Sequence, residues 1–328
     1  MSASAMRIET GSRLHFGLLG WGPELPRQFG GVGLMIDNPG LVIEAREFET
    51  WRAQGPLSER CLKVAQAVAL QLEARGTSVS PLAFDLIRAP REHTGLGVGT
   101  QASLAIARLV IEHARISSVT ATELARLTGR GLRSGIGLHG FDRGGLIVDG
   151  GRGSDDRVPP LLSALPFPAD WNILLVSPEL ERGRHGQEER AAFQTMPGVP
   201  LAIHEKLCRL LVTGILPAVA EEDLDTFGAA LEEFQEVVGG CFATAQGGTF
   251  SQPLLGEIAQ IMKQAGLVGV GQSSWGPTLY AFTDREPEEL ASFTAELAHR
   301  YNLGPQGLIW TKGRQGPPRI TLKHDVWT

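Results

Sequence analysis

The sequence predicts an α+β protein of two domains, on three observations. Its length of 328 residues with 42% hydrophobic content favours two cores over one. Strand-like and helix-like segments are mixed without the regular alternation of a parallel sheet. The stretch 151–169, rich in Gly, Asp and Pro, predicts a boundary between residues 1–165 and residues 166–328.

The first half opens with strand-like segments. Residues 6–20 and 41–48 have the apolar patterns of strands, and the glycines and proline of residues 30–40 predict a connection between them. Ser58 is placed to cap a helix that runs to about Glu73. The other elements predicted in this half are a strand at residues 82–87, a buried helix after the glycines of residues 95–99, a helix near residues 122–128 and a strand within residues 144–151.

The second half also mixes strands and helices. An apolar segment at residues 171–177 predicts a strand, and two further strands flank Gly276 and Pro277. Apolar residues at helical spacing predict the remaining elements. These are helices near residues 200–217, 222–238, 253–265 and 288–297, followed by a last strand near Leu308.

Composition excludes several classes of protein. The net charge of −6 comes from interspersed carboxylates, and no basic run with interleaved aromatic residues predicts a nucleic-acid surface. Cys61, Cys208 and Cys241 are far apart and predict neither a disulfide framework nor a zinc site. No apolar run approaches the roughly 18 residues of a membrane span, and no apolar signal segment follows Met1. We therefore expect a cytoplasmic protein.

Residues 95–101, Gly-Leu-Gly-Val-Gly-Thr-Gln, lie where a predicted strand meets a predicted helix. Glycines let the backbone approach a ligand, and the N–H groups and positive dipole end of a helix attract an anion. The candidate phosphate-binding residues are Gly95, Gly97, Gly99, Thr100 and Gln101. No Lys-Ser or Lys-Thr pair follows, so this is not the Walker pattern, and a tight turn capped by Thr94 is the alternative.

Three segments resemble motifs of the superfamily of galacto-, homoserine, mevalonate and phosphomevalonate (GHMP) kinases. They are residues 11–17, 90–101 and 268–276. The resemblance implies a GHMP kinase-like fold, with an N-terminal domain like domain 2 of ribosomal protein S5 and a ferredoxin-like C-terminal domain. Many of these kinases carry Ser-Gly-x-Asp, whose aspartate faces the substrate hydroxyl, but Gly137 stands at that position here. Glycine cannot accept a proton, so this chain lacks the carboxylate that faces the substrate hydroxyl in those kinases.

A closer resemblance is to the β-ribofuranosylaminobenzene 5′-phosphate synthases, which share this fold. The matching segments are residues 13–17, 29–35, 95–101, 133–137, 144–151 and 271–277. The resemblance implies phosphoribosyl transfer from phosphoribosyl diphosphate to 4-aminobenzoate, with release of diphosphate and CO₂, in methanopterin biosynthesis. It also implies magnesium (Mg²⁺) and a homodimer. Such a site must neutralise the departing diphosphate, exclude water from an oxocarbenium-like ribose and orient the ring.

Basic side chains near the N-terminus are the first candidates for this site. Arg13 and His15 are two residues apart on a predicted strand and share one face. We expect both to act as catalytic residues that clamp a phosphate or the benzoate carboxylate, with Arg27 as a further phosphate ligand. The alternative for each arginine is a solvated surface residue.

A polar segment before the strand of residues 144–151 supplies three more candidates. His139 and Asp142 are expected to take the proton of the amine or to orient the ring, and Arg143 to bind substrate. A turn stabilised by Asp142 is the alternative.

Two loops of the second half complete the predicted site. Arg184 and His185, beside Arg182, form a basic loop that is either a lid over an anionic substrate or a solvated group of charges.

Ser273 and Ser274 follow glycines and are expected to hydrogen-bond the carboxylate. Trp275 is expected to pack against the ring, with an ordinary core position as the alternative.

No His/Cys cluster at ligand spacing predicts zinc. Magnesium is expected to bind through substrate phosphates and one or two carboxylates, for which Asp142, Asp149 and Glu179 are unranked candidates. Two other functions stay open: an ATP-dependent small-molecule kinase that uses a different base or none, and a non-catalytic ligand-binding or regulatory protein that kept the fold.

Overall fold

The computed structural model describes residues 5–117, 119–131, 133–153, 157–180, 192–193 and 195–323. Within these residues the strands form one sheet of seven strands and one of four, and helices accompany both. The predicted α+β class is therefore confirmed. None of the helices described is both long enough and apolar enough to cross a membrane.

The larger sheet is built on a long antiparallel pair, β1 (Ala5–Gly20) and β2 (Phe29–Glu47). Its other strands are β3 (Arg52–Gln54), β4 (Leu82–Arg88), β5 (Leu146–Asp149), β6 (Leu161–Leu165) and β11 (Arg319–Lys323). The order is β11-β1-β2-β4-β3, and β5 pairs with both β2 and β6. Only the β3–β4 pair among these described strands is parallel.

The connection predicted at residues 30–40 is wrong, because β2 continues through it. Gly33 pairs with His15 of β1 and with Ile147 of β5. A Cβ atom at Gly33 would lie 2.4 Å from the Leu14 carbonyl oxygen. This glycine therefore marks a close approach between strands, a role that a sequence pattern does not separate from that of a turn.

Four helices pack on one face of this sheet: α1 (Ser58–Glu73), α2 (Val98–His113), α3 (Ala121–Thr128) and α4 (Ile136–Arg143). A buried cluster joins them to the strands through residues such as Ile8, Ile43, Ala65, Leu109 and Phe141. The predicted extent of α1 is confirmed, but its predicted cap is wrong. Leu57, at φ 62°, occupies the capping position, and no side chain caps the helix.

The smaller sheet has the order β10-β7-β9-β8 with antiparallel neighbours. Its strands are β7 (Asn172–Val176), β8 (Val268–Gln272), β9 (Leu279–Thr283) and β10 (Leu308–Thr311). Its helices are α5 (Leu201–Leu210), which runs through a π-helical turn (Leu211–Ile215) into α6 (Leu216–Ala220), then α7 (Leu224–Gln246), α8 (Pro253–Gln264) and α9 (Ala291–Arg300), which follows a 3₁₀ turn (Pro287–Leu290).

The two sheets share one hydrophobic core. A single buried cluster contains Leu14 and Phe16 of β1 together with Phe234 of α7 and the β9 aromatics Tyr280 and Phe282. The Phe16 ring lies 5.1 Å from the Tyr280 ring and 6.1 Å from the Phe282 ring, centre to centre. The late strand β11 also returns to pair with β1. The division at residues 165 and 166 stays a prediction.

Candidate active site

Two glycine loops meet where the two sheets join. One, at residues 95–97, precedes α2, and the other, at residues 273–276, follows β8. A Cβ atom at Gly95 would lie 2.2 Å from the Ser273 carbonyl oxygen, and one at Gly276 would lie 2.2 Å from the Gly95 nitrogen. The loops therefore pack backbone against backbone, which requires glycine at both positions.

The Ser273 hydroxyl fastens this junction. It donates a hydrogen bond to the Gly95 carbonyl oxygen at 2.8 Å and accepts one from the His15 backbone N–H at 3.0 Å. Ser273 is fully buried. Its single O–H donor is thus used to hold β1, β8 and the α2 loop together. The predicted hydrogen bond between Ser273 and the substrate carboxylate stays a prediction.

Arg13 lies beside the start of α2. Its backbone N–H donates to the Leu96 carbonyl oxygen at 3.0 Å, and its Nε would lie 3.2 Å from a Cβ atom at Gly97. Gly97 has φ +67° and occupies the capping position of α2. An anion bound at the first N–H groups of this helix would therefore lie beside the Arg13 guanidinium.

The Gln101 side chain is held by hydrogen bonds to other parts of the protein. Its Nε2 donates to the Gly137 carbonyl oxygen at 2.8 Å, and its Oε1 accepts from the Thr10 hydroxyl at 3.2 Å. The buried amide therefore ties α2 to α4 and β1, and its predicted phosphate contact stays untested. Thr100 is half-buried, and its Cγ2 would lie 3.4 Å from a Cβ atom at Gly137. The side chain of an aspartate at position 137 would therefore start beside the first turn of α2.

His15 begins a short chain of polar side chains. Its Nε2 lies 3.4 Å from the Ser134 Oγ, which lies 3.3 Å from the Asp149 Oδ2. The Asp149 carboxylate also accepts from the Gly135 N–H and the Gly151 N–H, each at 2.8 Å. This carboxylate fixes the loop that carries Ser134, and Ser134 in turn faces the imidazole.

The electrostatic surroundings keep His15 neutral. Burial lowers the pKa of His15 well below its usual range, and the positive charges of Arg13 and Arg133 lower this pKa further. A neutral imidazole can accept a proton or a hydrogen bond on one ring nitrogen. Burial raises the pKa of Asp149, and the hydrogen bonds that its carboxylate accepts oppose that increase.

A cleft opens beside His15, lined in part by β1 and α7, and encloses about 710 Å³ including its open mouth. Its walls include Phe193, Phe242 and Trp275. The Trp275 ring centre lies 4.7 Å from that of Phe242 and 6.1 Å from that of Phe193. The Arg133 guanidinium carbon lies 5.6 Å from the Phe193 ring centre. Aromatic walls with cations beside them suit an aromatic anion. We name this the aromatic cleft.

Four of the predicted residues meet at the aromatic cleft: Arg13, His15, Ser274 and Trp275. Ser274 is exposed there, and its backbone N–H donates to the His15 carbonyl oxygen at 3.2 Å. Trp275 is 7% exposed, so it is both a wall of the cleft and part of the buried aromatic cluster. The glycines of residues 95–99 do not line the cleft, and Arg13 lies between them and it.

Residues 139–143 belong to helix α4, so the alternative of a turn stabilised by Asp142 is wrong. His139, Asp142 and Arg143 do not line the aromatic cleft. The His139 Nε2 lies 2.8 Å from the Pro159 carbonyl oxygen. Asp142 forms an ion pair with Arg108 at 3.6 Å, and burial raises the pKa of Asp142. Arg143 is exposed. Their predicted catalytic and binding roles gain no support from this position.

Arg27 is exposed and holds the loop after β5. Its Nε donates to the Gly150 carbonyl oxygen at 2.5 Å, and its Nη2 donates to the Gly151 carbonyl oxygen at 2.7 Å. Its predicted phosphate contact stays untested. Arg182, Arg184 and His185 lie outside the residues that the structure describes.

The part of the chain that is described contains no group of three or more His, Cys, Asp or Glu residues arranged to hold a metal ion. Of the three carboxylates predicted as ligands, Asp149 accepts hydrogen bonds and Asp142 pairs with Arg108. Glu179 pairs with Arg91 at 2.9 Å. These surroundings do not fit a metal held by the protein alone, and magnesium carried by substrate phosphates stays a prediction.

Sequence reasoning missed Arg133, Ser134, Phe193 and Phe242. Arg133 and Ser134 lie in residues 133–137, a segment whose clearest signal in the sequence is a glycine in place of the kinase aspartate. Phe193 and Phe242 belong to no motif. Their role arises only when the helices pack against β1, so no local signal predicts it.

Comparison with curated proteins gives relatives over nearly the whole chain. The beta-ribofuranosylphenol 5′-phosphate synthase of Methanothermobacter thermautotrophicus is 35% identical, over 94% of this chain and 96% of the relative. The protein of the same name from Archaeoglobus fulgidus is 35% identical, over 85% and 88%. That from Methanocaldococcus jannaschii is 32% identical, over 86% and 90%.

The fold is that of the GHMP kinases. The family model for the GHMP kinase C-terminal region matches residues 215–298. The homoserine kinase of Cytophaga hutchinsonii superimposes with a TM-score of 0.71 at 16% identity, covering 97% of each chain. Mevalonate diphosphate decarboxylase from Staphylococcus aureus gives 0.63 at 12% identity, covering 97% of this chain and 98% of its own.

The matches to these synthases cover 85% or more of this chain, and solved GHMP kinase structures share its fold. The predicted GHMP kinase-like fold and the predicted resemblance are thereby confirmed. The chain is an enzyme that belongs to the family of beta-ribofuranosylphenol 5′-phosphate synthases.

Proposed function

We propose that the enzyme catalyses decarboxylating phosphoribosyl transfer from 5-phosphoribosyl 1-diphosphate to a benzoate with an electron-donating para substituent. The bond between ribose C1 and the diphosphate oxygen breaks, and its electron pair leaves with the diphosphate. The ring carbon that bears the carboxylate then bonds to C1, and loss of CO₂ returns an electron pair to the ring. The observation that supports this most is an aromatic cleft with His15 beside the α2 glycine loop.

The donor side of this reaction uses the first turn of α2. Its N–H groups and the Arg13 guanidinium, beside Gly97, provide positive charge for the diphosphate as it departs. These groups are held by the packing of the two glycine loops and need little reorganisation during the reaction. Magnesium bound to the donor's phosphates would add to this charge.

The acceptor side uses the aromatic cleft. Phe242 and Trp275 pack against the ring and exclude water from the cationic sugar, and Arg133 orients the carboxylate. The neutral His15 accepts a hydrogen bond from the para O–H or N–H. Its lowered pKa opposes protonation, so it takes the proton only as the para group becomes acidic during attack by the ring. Ser134 positions the imidazole for that task.

Two acceptors fit this chemistry. Sequence resemblance predicts 4-aminobenzoate, whereas the relatives are named for a phenol product, which corresponds to 4-hydroxybenzoate. Both para groups donate electrons to the ring carbon under attack. A place in methanopterin biosynthesis, a cytoplasmic location and a homodimer remain predictions.

The test is an assay of purified enzyme with magnesium, phosphoribosyl diphosphate and each carboxyl-labelled benzoate in turn. We expect labelled CO₂ and diphosphate with one or both acceptors. Parallel reactions contain ATP with homoserine or mevalonate. ADP formation there, without CO₂ from either benzoate, would support a kinase instead. Binding of the benzoates without any turnover would support a ligand-binding protein.

A further inference from the structure

A second cleft lies on the other side of the α2 first turn from Arg13. The residues that matter here are Arg60 and Lys63 of α1, Glu92 of the loop before α2, and Arg130 after α3. We name it the basic cleft. Among the described residues, none lines both this cleft and the aromatic cleft.

The basic cleft reaches the glycine loop through Arg60. Guanidinium atoms of Arg60 would lie 3.3 to 3.6 Å from a Cβ atom at Gly99. Two residues earlier, atoms of Arg13 would lie 3.2 to 3.6 Å from a Cβ atom at Gly97. The first turn of α2 is therefore flanked by one arginine on each side, and both guanidinium groups approach backbone that has no side chain.

The charges of the basic cleft favour an anion. The cleft contains three positive charges, from Arg60, Lys63 and Arg130, and two negative charges, from Glu59 and Glu92. Arg60 and Arg130 line the same cleft. Burial lowers the pKa of Arg130, the positive charge of Arg60 lowers this pKa further, and the carboxylate of Glu92 opposes the decrease. A multivalent anion between them would relieve this repulsion.

Arg60 is only partly satisfied by the protein. Its Nη2 forms a short ion pair with Glu92 at 2.6 Å. Its Nε is buried and has no hydrogen-bond partner among the residues described. The Arg60 side chain is 28% exposed and lines the cleft, so an anion that binds there meets its guanidinium in competition with Glu92.

We propose that the basic cleft binds the diphosphate of the phosphoribosyl donor, held by Arg60 with Arg130 and Lys63. This inference deepens the proposed function and rests on it. The donor then straddles the first turn of α2. Its ribose lies next to the aromatic cleft, the phosphate joined to ribose C1 lies beside Arg13 at the first N–H groups of α2, and the second phosphate extends over Gly99 to Arg60.

The first experiment measures the Kd of inorganic diphosphate with magnesium by calorimetry. Arg60→Ala is expected to weaken binding about tenfold to a hundredfold, because a charge-assisted hydrogen bond is lost. Arg75→Ala, a change to an exposed arginine just past the other end of α1, is the matched control and should leave the Kd within about twofold. An Arg60→Ala Kd within about twofold of the wild type would overturn the proposal.

Glu92→Gln tests the same site in the opposite direction. It removes the carboxylate that competes for Arg60, so we expect diphosphate to bind about threefold to tenfold more tightly. This variant keeps the size of the side chain, so the test does not depend on Arg60→Ala folding. Unchanged or weaker binding by Glu92→Gln would contradict the proposal.

These outcomes separate the inference from the proposed function, because diphosphate binding needs no turnover. CO₂ release by the wild type, together with an Arg60→Ala variant of unaltered diphosphate Kd and unaltered KM for phosphoribosyl diphosphate, would sink the inference alone. The expected changes in Kd without CO₂ release from either benzoate would support an anion site of this location and sink the proposed reaction.

Discussion

The two sides of the first turn of α2 differ in the kind of ligand that they favour. On one side Arg13 borders a cleft with aromatic walls and a neutral, buried His15. On the other side Arg60 borders an open cleft that contains three cations and two carboxylates, with no aromatic side chain among its described lining residues. One helix start can thus separate a site for a ring and a cationic sugar from a site for the leaving diphosphate. Positive charge alone therefore does not identify the binding site of the benzoate acceptor.

The largest effect is expected from a substitution at the start of α2, between the two clefts. Gly97→Asp places a carboxylate against Arg13 at φ +67° and repels an anion on either side. We expect turnover to fall about a thousandfold or more. Steady-state CO₂ release measures this change. Gly76→Asp, at φ +86° with no atom within 4 Å of the added Cβ, controls for backbone strain and charge and should stay active. An active Gly97→Asp enzyme would remove the loop from the site.

His15→Gln tests the aromatic side. The amide keeps hydrogen-bonding capacity but cannot take a proton, so we expect kcat to fall about a hundredfold while the Kd of diphosphate stays unchanged. Full kinetics and calorimetry measure the two values. His299→Gln changes an exposed histidine near the end of α9 and is the control. A kcat within about threefold of the wild type would show that His15 is not the proton acceptor.

Trp275→Ala sharpens the comparison, because it removes one wall and leaves the charges in place. We expect the KM for the benzoate to rise about tenfold and the KM for phosphoribosyl diphosphate to change little. Trp51→Ala, which removes a Trp that stacks on Phe84 away from both clefts, controls for the loss of a large side chain. Equal effects on both KM values would argue against separate sites.

The smallest effect concerns stability against pH. Because the folded pKa of His15 lies well below its usual value of 6.5, the unfolded chain binds a proton that the folded chain does not. The contribution of His15 to the free energy of unfolding is therefore full above about pH 6.5 and is lost as the pH falls below it. Urea unfolding at pH 7.5 and pH 5.0 should show a smaller decrease for His15→Gln than for the wild type. Equal decreases would mean that His15 is protonated in the fold.

Sequence predicted the glycine loop, the strand positions of Arg13 and His15, and the loop of Ser274 and Trp275, because each is a local pattern. It did not predict the extent of β2, since Gly33 is required by contact with another strand rather than by a turn. It also included His139 and Asp142 among the catalytic candidates, although helix α4 carries them and neither lines the aromatic cleft. Arg60 was missed, because only folding brings α1 beside Gly99.

We propose a reaction in which a carbon–carbon bond forms between ribose and the ring as CO₂ and diphosphate leave. It is tested most directly by a donor labelled with ¹³C at ribose C1 and a benzoate labelled at the ring carbon that bears the carboxylate. We expect a product whose two labelled carbons show one-bond coupling in the NMR spectrum, with one CO₂ and one diphosphate for each product. A product without that coupling, linked through oxygen or nitrogen with its carboxylate retained, would contradict it.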